Sequence, residues 1–179
     1  MPSTEAIDWQ LLDAGLLIVR VSFGLAYAAH GAQKLFGWFG GYGLAGTGGF
    51  LESLGYRPGK MFAAVVGLGE LVGGLLFAVG FLGAVGPALM LAGMLVAIVT
   101  VHLKNGFFVT SNGIEHPLMV ATAAVGIALT GPGRYSVDGA LGGTIFETPL
   151  ITLIVLLIGL VGGLLNLVIR RPPTTAPSI

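Results

Sequence analysis

Two charged residues, Arg20 and Glu70, stand in the middle of long apolar stretches of the sequence. Inserting an arginine at the centre of a membrane-spanning helix costs about 2.5–3.5 kcal/mol, so such a residue faces a partner rather than lipid. Pairing lowers the cost because neither charge is left alone in hydrocarbon. We therefore predict a buried ion pair between Arg20 and Glu70. Its role stays open between fixing the register of two helices and binding a substrate headgroup or a proton.

Three histidines lie at the ends of predicted spans: His30 ends the first, His102 ends the third and His116 opens the fourth. Lys34 and Glu115 are expected at the same depth, so the five residues predict a polar pocket at the cytoplasmic end of the bundle. Imidazole titrates near neutrality, and proton handling there is chemically feasible. No two histidines have the i, i+4 spacing that places two ligands on one helix face, and we predict no metal site.

The segment 32–59 is rich in glycine and aromatic residues, which makes it unsuitable as a span. Trp38, Phe39 and Tyr42 are typical of the membrane interface. Two interpretations remain open for the segment. It is a flexible surface connector, or it is a lid over the polar end of the bundle that contains a short helix at 48–54.

Two further groups have mainly structural interpretations. Arg134, Tyr135 and Asp138 follow the fourth predicted span and indicate a compact turn in which Asp138 accepts hydrogen bonds from nearby backbone. Gly159, Gly163 and Asn166 share one face of the last apolar segment, and the GxxxG spacing predicts close packing against another helix.

The composition places the chain in a membrane. It has 179 residues, of which 55% are hydrophobic and only 9% are charged, with a mean hydropathy of +0.94. Soluble domains have about 25% charged residues. A net charge of zero and few basic residues argue against a nucleic-acid partner. The absence of cysteine excludes disulfides, iron–sulfur clusters, c-type haem attachment and a thiol relay within this chain.

The predicted fold is all-α, a polytopic transmembrane helix bundle with a four-helix core and a fifth C-terminal transmembrane helix. A bundle at 11–140 follows an N-terminal lead at 1–10, and a disordered tail occupies 170–179. The predicted spans are 11–31, 60–82, 84–103, 116–130 and 149–169.

Basic residues predict the orientation of these spans. One side collects Lys34, Arg57, Lys60, Lys104, Arg170 and Arg171, and the other collects Arg134. Positive residues concentrate on the cytoplasmic side of membrane proteins. We therefore expect a multi-pass protein of the cell membrane with its N-terminus outside and its C-terminus in the cytoplasm.

Several short motifs, taken in order, resemble the DoxX family over about residues 12–140. They are Arg20…Gly24…His30-Gly31…Lys34-Leu-Phe-Gly, then Gly69-Glu70-Leu-Val-Gly-Gly, then His102, and finally Gly131-Pro-Gly-Arg-Tyr-Ser-Val-Asp138. The resemblance implies a four-helix membrane protein. Some members are linked to membrane oxidoreductase or oxidative-stress complexes, and more distant relatives include membrane chaperones. It carries over no catalytic residues, and the fifth span departs from the simple family pattern.

Three functions follow from these observations. The first is a membrane subunit of an oxidoreductase or oxidative-stress complex near a quinone, partnered by other membrane or membrane-associated redox proteins. The second is a non-catalytic scaffold or assembly factor, for which the GxxxG face in a homo-oligomer is sufficient. The third is a pathway for a small molecule or a proton. No cofactor is evident in the sequence, and a quinone is the candidate ligand. Catalytic residues stay unassigned.

Overall fold

The computed structural model describes residues 9–171, and every regular element within that range is helical. The all-α prediction is confirmed. Most of the predicted lead and tail, residues 1–8 and 172–179, lies outside the described range. The helices are α1 (Trp9–Phe36), α2 (Gly43–Ser53), α3 (Gly59–Val79), α4 (Val85–Ala97), α5 (Glu115–Thr130), α6 (Val137–Ala140) and α7 (Pro149–Val168).

Four segments of the described chain are long and apolar enough to cross a membrane: α1, α3, α7, and α4 with its extension to Asn105. The extension has a π-helical turn at Ile98–His102 followed by a 3₁₀ turn. Helix α5 has 16 residues, which at 1.5 Å per residue is about 24 Å and less than the roughly 30 Å of a bilayer core. It completes the bundle by packing against α4.

Helices α1 and α3 are antiparallel and approach closely through glycines on both. A Cβ atom added at Gly24 would lie 2.6 Å from the Gly74 carbonyl oxygen, and one at Gly31 would lie 2.4 Å from the Leu71 nitrogen. Small residues allow this approach, and larger ones would force the helices apart. The pairing also sets which residues of the two helices share a depth.

The apolar core lies where α1, α3, α4 and α5 meet. Its fully buried centre includes Tyr27, Phe77, Met90 and Ala124. Most other large apolar side chains of the spanning helices are exposed, as expected for a surface that faces lipid. Helix α7 packs beside α4, outside this centre.

Several helix ends differ from the predicted bounds. Helix α1 continues to Phe36 rather than ending at 31, and α2 begins at Gly43 rather than at 48. Helix α3 ends at Val79 rather than at 82, because Gly80 has φ 66° and so terminates the helix in the left-handed region.

Candidate functional site

A cavity of about 430 Å³ opens between α3 and α4 at the C-terminal end of α1. Its walls are mainly apolar, with α2 and α7 closing two sides. We call it the polar cavity after the few polar side chains in its otherwise apolar lining. These are Tyr27, His30, Lys34, Tyr56, Glu70, Thr100, His102, His116 and Asn166.

A partly buried ion pair lies in the polar cavity, but its members differ from the prediction. Lys34 Nζ lies 2.5 Å from Glu70 Oε2, and the Glu70 side chain is 8% exposed. The predicted Arg20–Glu70 pair is wrong, since Arg20 bonds elsewhere. In the antiparallel pairing of α1 and α3, Arg20 lies at the level of Ala78. Ala78 follows Glu70 by about eight residues on α3, so Arg20 and Glu70 lie at different depths. At 1.5 Å per residue they are about 12 Å apart along the helix axis.

The structure brings the three histidines together. The rings of His30 and His116 meet edge to face with centroids 5.7 Å apart, and His102 lines the same cavity. Lys34 joins them there. Glu115 does not line the cavity, because its carboxylate turns towards the loop that precedes α5 and accepts the Val109 backbone N–H at 2.8 Å.

Tyr56 is a site residue that the sequence analysis missed. It is 2% exposed and lines the polar cavity, yet its hydroxyl has no hydrogen-bond partner among residues 9–171. Burial raises the pKa of this hydroxyl, while the Arg170 charge acts in the opposite direction. Nothing in the sequence distinguishes Tyr56 from the other aromatic residues of its segment, because its position depends on how the loop folds back.

The glycine-rich segment contributes to the cavity through α2 and the loop after it. Phe50, Leu51 and Leu54 line the wall. The end of α7 holds this loop, since Arg171 N donates to Gly55 O at 2.9 Å and Arg170 Nε donates to the Leu54 carbonyl. The predicted interfacial aromatics Trp38, Phe39 and Tyr42 lie outside the cavity, with exposed side chains.

A second polar cluster occupies the opposite end of the bundle, around the turn after α5. Arg20 is fully buried and donates to Tyr135 O at 2.5 Å and to Ala78 O at 3.3 Å. Asp138 is also fully buried and accepts the backbone N–H groups of Leu82 at 3.1 Å and Gly83 at 2.6 Å.

The same turn is tied to the start of α1. Arg134 N donates to Asp13 Oδ1 at 2.9 Å, and Arg134 Nε lies 3.8 Å from Asp13 Oδ2. The turn residues therefore hold α1 and the α3–α4 connection to one another. Their arrangement agrees with a structural role.

The GxxxG face of α7 packs within the chain. A Cβ atom at Gly159 would lie 2.6 Å from Ala88 O, and one at Gly163 would lie 3.1 Å from Ala92 O. The face therefore contacts α4, and Gly163 and Asn166 also line the polar cavity. Within the described range, no group of three or more histidine and acidic residues is arranged to hold a metal ion.

Comparisons with known proteins identify the family of the chain. The family model described as DoxX matches residues 15–103. "Inner membrane protein YqjF" of Escherichia coli (strain K12) is 33% identical over 132 residues, 72% of this chain and 93% of that protein. The chain belongs to the DoxX family. "Putative oxidoreductase CatD" of Bacillus subtilis (strain 168) is 30% identical over 126 residues, 70% of this chain and 86% of that protein. No solved structure gave a significant match.

The DoxX match runs from α1 to the π-helical turn at the end of α4. It contains His30, Lys34, Tyr56, Glu70 and His102, the greater part of the polar lining. Helices α5 and α7 lie beyond the matched residues and complete the cavity wall. The matched part of this DoxX protein therefore supplies most of the groups that could contact a ligand.

Proposed function

We propose that this DoxX protein is the membrane subunit of an oxidoreductase and that its polar cavity binds the ring of a quinone. The observation that carries the proposal is the cavity itself: an apolar chamber beside lipid whose lining includes a buried tyrosine hydroxyl with no hydrogen-bond partner among residues 9–171. A quinone has an apolar ring and carbonyl oxygens that accept hydrogen bonds. It reaches its sites from the bilayer.

The dimensions and chemistry of the cavity support a ligand of this class. Sites for small molecules have volumes of about 300–1,000 Å³, mostly apolar walls and a few polar groups that fix orientation. The polar cavity has about 430 Å³ and is lined by exposed apolar side chains such as Val65 and Leu89 on its lipid side. The Tyr56 hydroxyl can donate a hydrogen bond to a ligand carbonyl. Lys34 and Glu70 add a charged pair to the lining of the same cavity.

CatD, a relative that aligns over 70% of this chain, is named a putative oxidoreductase. In the proposal, the electrons exchanged with the quinone come from or go to a partner protein, because the chain has no cysteine for a thiol relay. We place the cavity on the cytoplasmic side, since Lys34, Arg57, Lys60 and Lys104 lie at that end of the bundle.

The test measures quinone binding with a variant that fills the cavity. Gly69 lines the cavity, and a Cβ atom added there meets nothing within 4 Å, so Gly69→Leu projects into the space without displacing backbone. We expect 2-methyl-1,4-naphthoquinone to bind the wild type in nanodiscs. The variant should bind it about tenfold or more weakly, equivalent to ~1.4 kcal/mol.

Gly15→Leu is the matched control, because Gly15 lies on α1 away from the cavity and also has open space around its Cβ position. It should bind the quinone like the wild type. Equal affinity of the Gly69 variant and the wild type would refute the cavity as the site. No binding to any of the three proteins, with their folds intact, would favour a scaffold role.

A further inference from the structure

His30 has a fixed tautomer in its neutral form. Gln33 Nε2 donates to the Phe39 carbonyl at 3.1 Å, so the amide oxygen of Gln33 is the atom that faces His30. His30 Nδ1 lies 3.1 Å from that oxygen, which can only accept. The ring hydrogen is therefore on Nδ1, and Nε2 is left with an unprotonated lone pair.

His102 has the same tautomer for the same reason. Its Nδ1 lies 2.8 Å from the backbone carbonyl oxygen of Asn112, which is also only an acceptor. The hydrogen of the neutral ring is again on Nδ1, and Nε2 is an acceptor. Two histidines that line the polar cavity thus offer acceptors rather than donors.

Glu70 and Tyr56 add further polar groups to the cavity lining. Glu70 is a buried carboxylate with two acceptor oxygens, and Lys34 contacts one of them, Oε2. The Tyr56 hydroxyl, buried and without a partner in the described chain, can donate or accept. A ligand oxygen that only accepts can use Tyr56 and Lys34 but cannot satisfy the histidine nitrogens. A ligand hydroxyl can donate to a histidine nitrogen and accept from Tyr56.

We propose that the polar cavity is selective for the reduced form of a quinone, the hydroquinone with two hydroxyl groups. This inference rests on the proposed function. A bound quinone that covers these imidazole nitrogens displaces water from them and offers them no donor, which is unfavourable. The reduced form supplies those donors. The preference concerns equilibrium binding and requires no electron transfer during the measurement.

The experiment compares 2-methyl-1,4-naphthoquinone with its hydroquinone, each titrated anaerobically into the wild type in nanodiscs, with protein-free nanodiscs correcting for partition into lipid. The chain lacks cysteine, so the quinone forms no thioether adduct. We expect the hydroquinone to bind about tenfold more tightly, equivalent to ~1.4 kcal/mol. Equal binding, or tighter binding of the quinone, overturns the preference and leaves the proposed function standing. Failure of both forms to bind overturns the proposed function instead.

Variants at Gln33 test the tautomer argument, since Gln33 is outside the cavity lining. Gln33→Leu removes the acceptor for His30 Nδ1 and should reduce the preference for the hydroquinone with little change in quinone affinity. Gln33→Glu places a negative charge 3.1 Å from the ring and favours the doubly protonated imidazole, in which Nε2 is a donor, so it should also reduce the preference. An undiminished preference in Gln33→Leu would overturn the role of the fixed His30 tautomer.

Discussion

Removal of the Tyr56 hydroxyl should affect ligand affinity and folding stability in opposite directions. Without a ligand the hydroxyl is buried and has no hydrogen-bond partner in the described chain. Leaving a buried polar group unpaired costs about 1–3 kcal/mol. Tyr56→Phe removes that group and keeps the ring, which packs against Phe62 with centroids 5.2 Å apart. The ligand-free variant should therefore be as stable as the wild type or more stable.

Ligand affinity should change in the opposite direction. A hydrogen bond from Tyr56 to the ligand removes the free-energy cost of the unpaired hydroxyl. Tyr56→Phe has no hydroxyl, so its ligand affinity lacks this contribution. A loss of about 1–3 kcal/mol corresponds to roughly 5- to 150-fold weaker binding. The assay pairs thermal unfolding in detergent with titration of 2-methyl-1,4-naphthohydroquinone in nanodiscs. Tyr42→Phe is the matched control because Tyr42 is 85% exposed, and neither quantity should change.

Two results would refute this reasoning. If Tyr56→Phe binds the hydroquinone as tightly as the wild type, the hydroxyl does not contact the ligand. If the ligand-free variant instead unfolds at a clearly lower temperature, the hydroxyl has a structural partner and is not available to a ligand.

Two further predictions concern the ion pair and the last helix. Lys34→Met should lower the free energy of unfolding by about 3–5 kcal/mol, because it leaves the buried Glu70 carboxylate unpaired. The double variant with Glu70→Gln should recover much of that loss in thermal unfolding, and no recovery would show that the two residues are not coupled. Gly159→Leu should separate α7 from α4 and lower the melting temperature, since its Cβ would lie 2.6 Å from a backbone oxygen. Gly162→Leu on the same helix has open space and is the control; similar losses in both would refute this packing.

Composition and periodicity were sufficient to predict the helical architecture. Long apolar segments and glycine on helix faces follow directly from what a bilayer requires of a chain. The positions of histidines at helix ends also placed His30, His102 and His116 at one depth, and the structure gathers them around one cavity. The resemblance to the DoxX family was confirmed by the comparisons.

The predicted partner of Glu70 was wrong because the depth of each residue in the membrane was inferred from its own helix alone. Glu70 lies near the middle of α3, but the antiparallel packing aligns it with Lys34 near the end of the longer α1. Arg20 could not be paired correctly from sequence either. Its acceptors are the backbone carbonyls of Ala78 and Tyr135, which carry no residue-type signal. Tyr56 was missed for a related reason, since its burial depends on the folding of the loop.

Mass spectrometry of the small molecules that copurify with the protein tests most directly whether the polar cavity binds a quinone-class molecule. The chain would be purified from membranes of its native host in lipid nanodiscs, with wild type and Gly69→Leu treated identically. We expect a near-stoichiometric quinone or hydroquinone in the wild type and a much smaller amount in the variant. A wild type that carries only phospholipid while it copurifies with another polypeptide would contradict quinone binding and favour a scaffold.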